Sequence, residues 1–137
     1  MTRYAFLLLA LCAHQSFSQA LTQELPQTID CSEVVHAQAN DSVTNFEITR
    51  DKKFEITFSM ISADEWIMSG NAGATPLVKI DGPDVVHFLE STPLGTVNIT
   101  QIETTLKDGK YRAVHSRHPA IFGDIFPSQW LLTCEAR

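Results

Sequence analysis

The residues best suited to chemistry stand together as His115-Ser116-Arg117-His118, followed by Pro119. Two imidazoles, a hydroxyl and a guanidinium in one short run offer a proton carrier, a nucleophile and a fork for anions. On a strand, side chains alternate, so His115 and Arg117 face one way and Ser116 and His118 the other. The two histidines are then an awkward metal pair, and only a bulge before Pro119 would bring them together. A nucleophile reading needs Ser116 served by His118, with Asp124 as the third member. Adjacency in sequence is not hydrogen-bond geometry, and nothing around Ser116 reads as a strained elbow. Arg117 has a plain structural role, bonding loop carbonyls or Asp124 across residues 119–127. Its sharper role is capture of a carboxylate or phosphate.

Other motifs that carry chemistry are missing from the sequence. There is no G-x-x-x-x-G-K-[ST] loop, H-E-x-x-H, G-x-S-x-G or C-x-x-C, which argues against nucleotide enzymes, zinc proteases and common hydrolases. No cofactor and no resident metal is called for. His87 shares a strand face with Val85 and Leu89, the setting of a hydrogen-bonded core or lumen histidine. Trp66 and Trp130 read as core, and in a barrel one of them could line a small cavity. Lys52, Lys53, Lys107, Lys110 and Arg112 gather at hairpin tips, as solvated turns or as a patch facing a receptor. Asn40-Asp41-Ser42 and Asn98-Ile99-Thr100 match glycosylation acceptor patterns, the second inside a strand.

The elements that must position these groups are short strands. Phe54, Ile56, Phe58 and Met60 alternate with Glu55, Thr57 and Ser59, a half-buried period of two. Phe46 and Ile48 alternate in the same way, so the tetrapeptide FEIT occurs twice, and Arg50-Asp51-Lys52-Lys53 reads as a hairpin connection. Further strands are expected around residues 77–80, 85–89, 96–103, 111–116 and 129–134, with 64–68 a further candidate and 31–36 a strand or a short turn. Residues 70–76 read as a loop, Asp81-Gly82-Pro83-Asp84 as a turn and Asp108-Gly109 as a type I′ hairpin. In residues 96–103 the apolar phase of Val97 and Ile99 slips to Ile102, which suggests a bulge. Seven or eight strands with no helical period predict an all-β domain, a small antiparallel barrel or sandwich.

The cysteines set the compartment. Arg3, the apolar residues 4–13 and Ser18-Gln19-Ala20 have the layout of a signal peptide spanning residues 1–20, leaving a single β domain at 21–137. The apolar run falls short of the ~20 residues a transmembrane helix needs. Leu9-Ala10-Leu11-Cys12 also resembles a lipoprotein processing site, although Leu11 is large for it. Removing the leader deletes Cys12 and leaves Cys31 and Cys134 to form one disulfide in a periplasmic or secreted protein. The net charge of −6 becomes −7 when Arg3 is lost, which disfavours nucleic acid as a partner.

The stretch AVHSRHPAIFGDIFPSQWLLTC resembles the ending of a group of small secreted bacterial proteins with no assigned function. Those close on S-R-H, a loop, then P-S-Q, two aromatics, a glycine and a cysteine. Ser116-Arg117-His118, Pro127-Ser128-Gln129 and Cys134 match, while Trp130-Leu131-Leu132 departs from the aromatic-aromatic-glycine portion. The resemblance implies export and a β fold and carries no activity over. It singles out Ser116, Arg117, His118, Ser128 and Gln129 as candidate binding residues. The expectation is a monomeric, non-enzymatic binding module whose Arg117 region meets a protein or a small anionic ligand. The alternatives are an inhibitor of an exported hydrolase, acting through residues 70–76 or 119–127, and a hydrolase using Ser116 or His118.

Overall fold

The structure, a computed structural model, describes residues 24–40, 45–50, 53–121 and 124–137. The leader, Cys12, Asp41, Ser42, Asp51 and Lys52 lie outside the described residues. Among the described residues no helix forms, and none is long and apolar enough to cross a membrane. The strands are β1 (Thr28–Asn40), β2 (Asn45–Thr49), β3 (Glu55–Ser62), β4 (Glu65–Gly70), β5 (Gly73–Asp81), β6 (Val85–Ser91), β7 (Val97–Glu103), β8 (Tyr111–Arg117), β9 (Ala120–Ile121), β10 (Asp124–Ile125) and β11 (Ser128–Ala136).

Eight of them form a closed antiparallel barrel. From β3 to β8 each strand pairs with the next, β8 pairs with β11, β11 with β1, and β1 returns to β3. Each strand turns one face inward, and closure lets all those faces share one interior without leaving an edge in the barrel. Cys31 and Cys134 are opposite one another on β1 and β11 and form the disulfide, tying the first and last barrel strands together. Around it the interior is apolar. Phe58 stacks on Phe88 at 5.1 Å between ring centroids and Trp66 tilts against Phe88 at 5.0 Å. Ile29, Ile56, Met68 and Ile102 fill the space between.

β1 is the long strand on which the barrel changes character. Its register with β11 slips between Glu33 and Val35, a bulge that leaves Val34 as the extra, exposed residue. On its other side, residues 28–32 pair with β3 and residues 36–40 pair with β2. β2 and β3 are therefore consecutive pieces of one interrupted strand beside β1, with the break facing the bulge. This corrects the expected hairpin at residues 50–53: the two FEIT strands do not pair with each other, and both pair with β1.

Four further expectations shift. Residues 70–76 are a tight Asn71-Ala72 turn leading straight into β5, with Gly73 at φ 108°. β7 carries no bulge; its register with β6 and β8 is unbroken. The apparent slip arose because its inward residues are Asn98, Thr100 and Ile102, while Val97 and Ile99 face out. His87 lies on the outer wall, where its Nδ1 meets Gln101 Nε2 at 3.2 Å. Residues 119–127 hold the two-stranded ribbon β9–β10. The Asp108-Gly109 turn is as expected, with φ 53° and 77° and Lys107 bridged to Lys110.

Candidate functional site

One end of the barrel interior is polar, and strand register explains how. Thr100 on β7, His115 on β8, Trp130 on β11 and His36 on β1 are successive cross-strand partners, so they form a row around the inner wall. Nearer the mouth, Glu90 pairs with Asn98 and Arg117 pairs with Ser128. Period-two alternation points the side chains of both rows inward.

His115 anchors the arrangement. It is fully buried, its Nδ1 lies 2.8 Å from Thr100 Oγ1 and its Nε2 accepts from Arg117 Nε at 3.1 Å. Arginine has no lone pair to offer, so Nε2 must be the acceptor and the ring proton sits on Nδ1, donated to Thr100. Burial first, and the neighbouring Arg117 charge second, hold its pKa down at about 3. The Arg117 guanidinium lies 5.2 Å from the Trp130 ring and 5.5 Å from the Phe54 ring. Among the described residues it is held by an imidazole and two aromatic rings. Close by, buried Asn98 Nδ2 donates to buried Glu90 Oε2 at 2.6 Å. That bond and its burial place the Asn98 acceptor site out of reach of a glycan in the folded protein.

The bulge and the strand break create a cavity beside this row. It has a volume of about 230 Å³ and is lined by Glu33, His36, Thr49, Lys53, Phe54 and Trp130. Without a bulge, Glu33 and His36, three positions apart, would face opposite sides of β1; the extra residue Val34 brings both inward. Glu33 is 5% exposed, and its Oε2 accepts from the Phe54 backbone N–H at 3.2 Å. His36 stacks flat on Trp130, with ring centroids 4.3 Å apart and planes 5° off parallel, and its Nδ1 is 3.4 Å from Thr49 Oγ1. Among the described residues, two buried polar atoms in this cavity lack a hydrogen-bond partner: Glu33 Oε1 and His36 Nε2.

The five candidate residues fall on different surfaces. Arg117 and Ser128 are inside the mouth. Ser116 and Gln129 are partners on the outer wall, where Gln129 Nε2 donates to Ser116 Oγ at 3.3 Å. His118 is exposed beyond the end of β8. Among the described residues no histidine ring nitrogen bonds Ser116, so the geometry of a serine nucleophile is not assembled. The Asp124 side chain lies outside what is described. Trp66 is core, as read for both tryptophans, whereas Trp130 packs against the core and lines the cavity. Glu33, His36, Phe54 and Thr100 were missed, because nothing in sequence marks the bulge that aims the first two.

The larger cavity, about 860 Å³, is a groove on the outer wall over Val34, Val85, Val114 and Leu131. The cations at its rim are already matched: Arg112 makes a two-pronged bond to Glu103 at 3.1 Å and Lys107 lies 3.8 Å from the same carboxylate. Lys110 pairs with Glu135. Two carboxylates thus face three cations of the expected basic patch. No protein-family model, curated protein or solved structure matches this chain.

Proposed function

We propose that the protein is an exported, non-enzymatic binding module, periplasmic or secreted, and that the polar mouth of its barrel is the contact site for a ligand or protein partner. The observation that carries this is the placement of Arg117, half-buried at the mouth, bonded to a side chain and held against two aromatic rings beside a cavity. An eight-stranded barrel is just wide enough to be filled by side chains or to hold one small ligand, and here a cavity of about 230 Å³ lies beside the polar row. The leader-like residues 1–20 and the Cys31–Cys134 bridge support export.

Affinity capture from the exported fraction tests the site. Wild type, Arg117→Ala, Trp130→Ala and the outer-wall variant Gln129→Ala would be compared. Loss of a captured partner in the first two variants with retention in the third is expected. Equal capture by all four would overturn the mouth as the contact site. A second reading, inhibition of an exported hydrolase, is favoured by the β9–β10 ribbon, which the chain inserts between Arg117 and Ser128 at this mouth. Replacing residues 120–125 by a short Gly-Ser turn would then abolish inhibition in a panel of exported hydrolases.

A further inference from the structure

We infer that the cavity between β1, the β2–β3 break and Trp130 is a subsite for a small organic cation, a primary ammonium or guanidinium group. This deepens the binding function proposed above and rests on it. The first observation is the pair of buried atoms without partners, Glu33 Oε1 and His36 Nε2. Leaving a buried acceptor unbonded is costly, most of all on a carboxylate, so a native fold keeps one where something else supplies the donor. Glu33 is held in place by the Phe54 N–H through its other oxygen, which leaves Oε1 fixed in direction and available.

The walls fit the same ligand. The apolar rings of Trp130 and Phe54 line the cavity, and a low-dielectric wall strengthens the attraction between the Glu33 carboxylate and a cation. The cavity of about 230 Å³ is below the range typical of drug-sized ligands and suits the head of a lysine or arginine side chain. The chain's formal charge of −6 raises the local concentration of cations. An anion in this cavity would instead lie against the Glu33 carboxylate. Lys53 lines the rim and has an interaction of its own. An incoming ammonium would give Oε1 the donor it lacks. A guanidinium has donors enough for Oε1 and for His36 Nε2 together, the imidazole accepting when Thr49 Oγ1 accepts from Nδ1–H.

The test uses the oxidised, leaderless protein with methylguanidinium, butylammonium, butyramide and butyrate as probes, followed by NMR. The two indole N–H signals provide an internal control, since Trp130 lines the cavity and Trp66 is core. The cations should bind in the millimolar range and move the Trp130 signal but not that of Trp66. Glu33→Gln keeps the shape and the Phe54 bond and removes the charge; it should weaken the cations by roughly tenfold or more. His36→Phe keeps a ring on Trp130 and should selectively reduce methylguanidinium. Unchanged cation affinity in Glu33→Gln, or butyrate or butyramide binding as tightly as the cations, would overturn the assignment. So would the absence of any Trp130 shift, which would mark a site satisfied by water alone. Partner capture that depends on Arg117 and Trp130 without cation binding would sink this subsite and leave the mouth as the contact site; capture indifferent to both residues would sink the broader proposal.

Discussion

Acid should destabilise this protein through His115 in a way that can be isolated. In the folded barrel the imidazole is fully buried, gives its proton to Thr100 and receives one from Arg117. Protonating Nε2 would remove the lone pair that Arg117 uses and set two positive charges side by side out of water. The folded pKa is accordingly about 3, against the usual 6.5. The unfolded chain takes up a proton near pH 6.5 while the folded chain stays neutral until about pH 3. Between those values the unfolded state binds more protons, so stability is full above pH 6.5 and falls as pH falls. At about 1.4 kcal/mol per unit, the full window amounts to about 5 kcal/mol, and the step from pH 7 to pH 5 to about 2 kcal/mol. Urea unfolding at pH 7 and pH 5, followed by tryptophan fluorescence with the disulfide intact, measures it. His115→Gln supplies a donor and an acceptor that do not titrate in this range, and it should lose about 2 kcal/mol less than wild type over the same step. Parallel profiles for the two proteins would refute the buried neutral histidine.

Two further perturbations follow from the interior. The Cys31–Cys134 bridge closes a separation of 103 residues. The double variant Cys31→Ala/Cys134→Ala should lose about 2–5 kcal/mol in urea unfolding, and hydrogen exchange should rise along the β1–β11 seam as far as Trp130; an unchanged seam would make the bridge irrelevant to the mouth. Asn98→Ala strips the donor from buried Glu90 and should cost about 1–3 kcal/mol or more. Removing both polar groups, as Asn98→Val with Glu90→Leu, should recover most of that loss, and a neutral Asn98→Ala would show that Glu90 finds another partner.

Much of the fold was legible because period-two patterning and turn chemistry are local. The β3 alternation, the Asp81–Asp84 turn and the Asp108-Gly109 hairpin formed where the residues placed them. β7 was misphased because its inward positions are polar, and an apolar pattern cannot reveal a strand that points Asn98 and Thr100 at a lumen. The two FEIT segments show the same limit. In β2, Phe46 and Ile48 are exposed, whereas Ile56 in β3 is buried and Phe54, just before β3, packs against His115 and Trp130. Identical local sequence met different surroundings, because β2 lies beyond the barrel and β3 within it.

The candidate site was half legible. Alternation correctly put His115 and Arg117 on one face and Ser116 on the other, but the shared signature grouped inner and outer residues as one surface. What the sequence by itself determined is the all-β class, the antiparallel hairpins and the cysteine pair that closes the chain, since these follow from residue type, spacing and count. Tertiary structure alone decided that the barrel is closed, that Arg117 rests on His115, Phe54 and Trp130, and that Glu33 and His36 share a cavity. Those facts depend on cross-strand register and on one extra residue, Val34, in β1. Register is a relation between distant segments, and no window along the chain contains it.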